Sequence, residues 1–194
     1  MLVEILKAQK ADAPVVVELM YKALGDYANF LMNSQNTEET LLRMQICFTA
    51  EKPNAFHYTN SLVAMVDGKI VGESTSYAGN RIAEFNNNIS KIIAKFQGHT
   101  QNIITELKYL REARADEYYM DTLSVIDEYK SLGVGKLLLQ GVCQKALSDG
   151  FSKLSIVVQE GKEYLLDYYL NQGFNNMGMI DLGGINYHRL LKIL

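Results

Sequence analysis

The stretch Met120-Asp121-Thr122-Leu123-Ser124-Val125-Ile126-Asp127-Glu128-Tyr129-Lys130-Ser131-Leu132-Gly133-Val134-Gly135-Lys136-Leu137-Leu138-Leu139 decides how this chain is read. A strand ending at Val125 feeds a short loop with two glycines, Gly133 and Gly135, and the loop opens directly into a helix. Backbone N–H groups at a helix start have no intrahelical partner, and the helix dipole adds positive potential there. Glycines let an anion approach the backbone closely, and Lys130 and Lys136 flank the loop. A dinucleotide fingerprint would need a third glycine where Leu138 stands. A P-loop would need Gly at position 130 and Ser or Thr at 137, where Lys130 and Leu137 stand. Both are excluded. On the glycines alone, an anion site and simple tight packing are equal readings.

Outward from this stretch the pattern alternates in type. Upstream, residues 2–7 read as an opening strand, and Asp12 with Pro14 starts a helix that runs to about Leu31. Asn36 and Glu39 form a capping pair for a helix over 38–50. Residues 61–66 and 70–74 flank Asp67-Gly68, a strong hairpin signal. Residues 81–115 read as a helical insertion before the fourth strand, with Ile82, Phe85, Ile89, Ile92, Ile93 and Phe96 at helical spacing and a second helix from Asn102 to about Arg114. Downstream come strand 118–125, helix 135–148, strand 151–158, helix 163–171, and strands 176–182 and 186–193 joined by Gly183-Gly184. The order predicts an α/β (α+β mixed sheet) class: a central mixed β-sheet flanked by helices, in one domain over 1–194.

Composition agrees. The chain has 194 residues, 48% hydrophobic and 21% charged, with 14 Gly and 2 Pro, a globular mix able to bury one sizeable core. Its net charge of −3 argues against a nucleic-acid partner. No apolar run reaches the ~20 residues of a membrane span, so no membrane association is expected. Cys47 and Cys143 lie far apart, which points to reduced thiols and a cytoplasmic setting. His57, His99 and His188 are scattered, so no metal is implied.

The segment Lys130-Ser131-Leu132-Gly133-Val134-Gly135 resembles the pyrophosphate-binding loop of the GCN5-related N-acetyltransferase (GNAT) family, and Leu123-Ser124-Val125 resembles its pantetheine-pairing strand. Downstream, Tyr169-Leu170-Asn171-Gln172-Gly173-Phe174 resembles the family's Tyr-x-x-x-Gly-Phe ending. The resemblance spans about 1–194 apart from the insertion. It implies the acyl-CoA N-acyltransferase (GNAT) fold, with acetyl-CoA (coenzyme A) as co-substrate. Leu123, Ser124, Val125 and Lys130, Ser131, Leu132, Gly133, Val134, Gly135, Lys136 would then hold the coenzyme. The implied reaction is acetyl transfer to a primary amine of a small molecule or a protein by direct attack in a ternary complex. Four residues depart from the pattern: Lys130 replaces Arg or Gln, Ser131-Leu132 makes the loop less cationic, and Lys162 stands where many relatives carry Asn. These departures motivate an alternative, a catalytically degenerate acyl-CoA-binding regulatory module.

Tyr169 falls at the family's general-acid position, and Tyr164 and Tyr168 are expected to pack their helix on the sheet. Strand alternation puts Asp121 on one face with Tyr119, Leu123 and Val125, as a candidate base; Glu73 and Glu117 are its rivals. Cys143 reads as a core thiol. The apolar insertion face is a lid, a homodimer surface or core packing, the last being the default.

Overall fold

In the computed structural model, residues 2–96, 112–182 and 184–194 are described. The strands are β1 (Glu4–Lys7), β2 (Ser61–Val66), β3 (Lys69–Ala78), β4 (Tyr118–Val125), β5 (Lys153–Gln159), β6 (Asn175–Leu182) and β7 (Ile185–Ile193). They form one sheet in the order β1-β2-β3-β4-β5-β7-β6. The hairpin turn is as expected: Asp67 and Gly68 take φ of 49° and 75°, which an Asp-Gly pair tolerates. The final hairpin pairs Leu182 with Ile185 across Gly184 (φ 85°), while Gly183 lies outside the described residues.

The helices are α1 (Ala13–Leu24), α2 (Asp26–Met32), α3 (Thr37–Phe48), α4 (Ile82–Ile93), α5 (Val134–Ser148) and α6 (Glu163–Asn171). The single helix expected from Asp12 to Leu31 is two, because Gly25 at φ 59° turns the chain between them. Asn36 caps α3 as expected, its Oδ1 accepting from the Glu39 N–H at 2.8 Å. The insertion begins as a core element. Helix α4 buries Ile82, Phe85, Ile89 and Ile93 in the layer formed with α1, α2 and α3, so this part is neither a lid nor a dimer surface. Most of the second expected helix, 102–114, lies outside the described residues, and its described tail, 112–114, is not helical.

Helices α1–α4 cover one face of the sheet, together with Val63, Tyr77 and Tyr119. Helix α5 covers the other, with Tyr118, Met120, Val125, Ile156, Val158 and Tyr169. Gly72 permits that approach: a Cβ there would lie 3.1 Å from Leu138 and 3.0 Å from the Ser124 carbonyl oxygen.

Two irregularities open the sheet. The first is a bulge: Thr75 pairs with Thr122 and Ser76 with Met120, which leaves Asp121 opposite no residue of β3. The second lies between β4 and β5, parallel neighbours that share the pairs Tyr118↔Leu154 and Tyr119↔Ser155 and no more. Beyond them β4 follows β3 to Val125, and β5 follows β7 to Gln159. The two strands part like a V.

Candidate active site

A cavity of about 810 Å³ occupies this V. Its walls include Tyr119 and Val157 from the α1–α4 face and Leu123, Val125, Val158 and Tyr169 from the α5–α6 face, so it passes between the strands from one layer to the other.

The glycine loop forms one side. Ser131 and Gly133 adopt φ of 63° and 85°, and helix α5 starts at Val134 with its first backbone bond from Leu137 N–H to the Gly133 carbonyl. A Cβ on Gly133 would meet nothing within 4 Å, so the space above it is open to a ligand. A Cβ on Gly135 would lie 3.4 Å from the Tyr168 hydroxyl and 3.6 Å from Leu123. That hydroxyl is buried and has no hydrogen-bond partner among the described residues. The loop and its open glycine fit a pyrophosphate.

Ten of the sequence-predicted residues line the cavity: Asp121, Leu123, Ser124, Val125, Lys130, Ser131, Gly133, Gly135, Lys136 and Tyr169. Leu132 and Val134 do not: Leu132 is 55% exposed, and Val134, the first residue of α5, is buried in the core. Tyr164 and Tyr168 line the cavity as well, so packing alone does not account for them. The sequence reading missed Lys22 on α1, Tyr27 on α2, Glu112 and Tyr187 on β7. All four come from segments remote from the motifs. Lys22, with Lys130, Lys136 and Lys162, makes four cationic side chains on the walls. Asp127 ties two of them, at 2.8 Å to Lys22 and 2.7 Å to Lys130, and this pairing holds its carboxyl down at about 2.

The acids separate sharply. The bulge breaks the alternation expected along β4: Tyr119 faces the α1–α4 layer, whereas Leu123 and Val125 face α5. Asp121 goes with Tyr119, because its Oδ2 accepts from the Tyr77 hydroxyl at 2.8 Å and Tyr77 packs edge-on to Tyr119 at 5.7 Å. Burial raises the Asp121 carboxyl to about 6, partly offset by that hydrogen bond. Beside it, Glu112 Oε1 accepts from the Tyr27 hydroxyl at 3.1 Å. Burial and repulsion from Asp121 lift Glu112 to about 8.

Glu73 is fully buried and does not line the cavity. Its Oε2 accepts from Thr75 and Thr122 at 3.2 and 3.1 Å, its Oε1 has no partner among the described residues, and burial raises it to about 8. Glu117 is paired with Arg189 in a buried contact away from the cavity. Neither rival therefore faces the V.

Tyr169 is 8% exposed, and its ring stacks edge-on against Phe174 at 5.5 Å and Tyr168 at 5.1 Å. Burial pushes its phenol well above the ordinary value, so it stays protonated and able to donate.

The fold has many solved counterparts. An N-acetyltransferase from Staphylococcus aureus Mu50 is 22% identical and superposes with a TM-score of 0.79 over 97% of this chain and 99% of its own. The PaiA N-acetyltransferase of Thermoplasma acidophilum, solved with coenzyme A, is 15% identical, with a TM-score of 0.57 and full coverage of both chains (100% each). The ribosomal-protein-S18-alanine N-acetyltransferase of Escherichia coli is 12% identical, with a TM-score of 0.57 over 99% of this chain and 94% of its own. No curated protein sequence matches. The family model for the acetyltransferase (GNAT) family matches residues 28–174, well over half of the chain. The chain belongs to the acetyltransferase (GNAT) family.

Proposed function

We propose that this protein transfers the acetyl group of acetyl-CoA to a primary amine by direct attack within a ternary complex. The observation that carries the reading is the cavity itself. It runs through the parted β4 and β5, with the glycine loop and four lysines on its walls and an acid–phenol cluster on the α1–α4 side.

The coenzyme pyrophosphate would rest on the N–H groups at the start of α5, assisted by Lys130 and Lys136. Its pantetheine arm would pair with the free edge of Leu123-Ser124-Val125, as an added strand would. The thioester would then lie between the strands near Tyr169. The amine nitrogen attacks the carbonyl carbon, a C–N bond forms, and the C–S bond breaks. Asp121 takes the proton released by the nitrogen, and Tyr169 gives one to the departing sulfur.

Two solved counterparts carry coenzyme A or a protein acceptor in their names, which supports the donor and the amine class of acceptor. The test is direct: free thiol is measured as acetyl-CoA is incubated with the protein and an amine panel. Amine-dependent thiol release with a matching acetylated product is the expected result. Coenzyme binding without any turnover would overturn it.

A further inference from the structure

Several acidic groups elsewhere in this molecule meet cations. Arg189 meets Glu117, Arg43 meets Glu39, and Lys22 and Lys130 meet Asp127. Asp121 and Glu112 are different. Among the described residues no Lys, Arg or His pairs with either; their partners are the Tyr77 and Tyr27 hydroxyls. Tyr119 and Tyr187 stand close enough to feel the charge of Glu112. Two carboxylates and three phenols, those of Tyr27, Tyr119 and Tyr187, thus line the cavity, while Tyr77 bonds Asp121 without lining it, and the two carboxylates repel each other. Like charges held together at a desolvated site are unfavourable unless one keeps its proton or a cation joins them, and phenol rings favour cations too.

We propose that the acceptor is a small organic dication, a linear aliphatic diamine. Asp121 serves the amine that is acetylated, and Glu112, held by Tyr27, binds the distal ammonium. Glu112 is then the residue that sets acceptor specificity. The proposal rests on the acetyl-transfer reading and sharpens its acceptor. A monoamine would neutralise one carboxylate and leave the other unmet.

The experiment is calorimetric binding, with and without saturating coenzyme A. 1,4-Diaminobutane and 1,5-diaminopentane are compared with butylamine and with a short lysine-bearing peptide. The diamines are expected to bind roughly tenfold or more tighter than butylamine, the scale of one charge-assisted contact. Glu112→Gln should bring diamine affinity down to the butylamine level while coenzyme A affinity stays unchanged. Tyr27→Phe, which removes only the hydroxyl on Glu112, should give a smaller loss in the same direction. Equal binding of diamine and monoamine, no effect of Glu112→Gln, or peptide binding in preference to diamines would each overturn the proposal. Diamine selectivity without coenzyme A binding would uphold the dication site and overturn the acetyl-transfer reading instead.

Discussion

The Tyr77 hydroxyl donates to Asp121 Oδ2 at 2.8 Å, and Asp121 is the residue that the β3–β4 register leaves unpaired. The bulge and the hydrogen bond act together. The extra residue swings the Asp121 carboxylate away from the face of Leu123 and Val125, and Tyr77 fixes where it points. A carboxyl held there at about 6 is poised to accept a proton near neutrality.

Acetyl transfer at saturating acetyl-CoA should therefore rise with pH through about 6, as Asp121 loses its proton. A second change is expected near 8, where Glu112 ionises against the charge already on Asp121. Asp121→Asn should lower kcat by roughly 10²–10⁴ and remove the limb near 6. A pH–rate profile of wild type and variant checks this. An unchanged profile would take the base role from Asp121.

Tyr169→Phe keeps the ring against Phe174 and deletes the hydroxyl alone. We expect kcat to fall by roughly 10–10³ with little change in KM for the coenzyme, because the proton is given mainly in the transition state. Tyr168→Phe should act on stability instead. Its buried hydroxyl lies beside Gly135 without a partner among the described residues, so its loss should leave stability unchanged or higher and hardly move kcat or coenzyme A binding. Steady-state kinetics, calorimetry and denaturation separate the two roles.

Gly133→Val should abolish coenzyme A binding and cost only about 1–2 kcal/mol of stability. Its Cβ would enter open space, so the cost is the positive φ of 85° and not a clash. Gly135→Val should also lose coenzyme A binding and cost stability, since a Cβ there would already touch the Tyr168 hydroxyl at 3.4 Å and the two added methyl groups would reach closer. Unaltered coenzyme affinity in both variants would contradict the loop assignment.

Glu73 makes a prediction about stability. Unfolded, its carboxyl releases a proton near ~4.3. Folded, burial holds the proton up to about 8. Between those values the folded state binds the extra proton, so Glu73 makes stability fall as pH rises, and the loss is complete above about 8. Glu73→Gln cannot titrate. Relative to wild type it should gain on the order of 1–4 kcal/mol between pH ~5 and ~9, read by urea denaturation at both ends. A difference that does not change with pH would show that Glu73 titrates normally in the fold.

Much of this architecture is legible in local chemistry. Asp67-Gly68 announces its turn, Asn36 its cap, and the Gly133-Val134-Gly135 loop its helix start, because each needs a residue type that the backbone geometry demands. Gly25 also carried its signal, a glycine inside a helical pattern, which the apolar spacing on either side masks. The bulge at Asp121 left none: one inserted residue moves side chains between faces without altering composition, so the alternation over 119–125 misassigns them. Lys22, Tyr27, Glu112 and Tyr187 reach the cavity through tertiary packing alone, from α1, α2, the end of the insertion and β7. No spacing rule links them to the loop.

The central claim is that this cavity brings acetyl-CoA and an amine together for transfer. The most direct measurement is time-resolved thiol release from acetyl-CoA, with product mass, for wild type, Tyr169→Phe and Gly133→Val on one diamine acceptor. The account predicts rapid acetylation by wild type, a slow reaction with normal coenzyme binding for Tyr169→Phe, and neither binding nor reaction for Gly133→Val. Equal rates in all three proteins would contradict it.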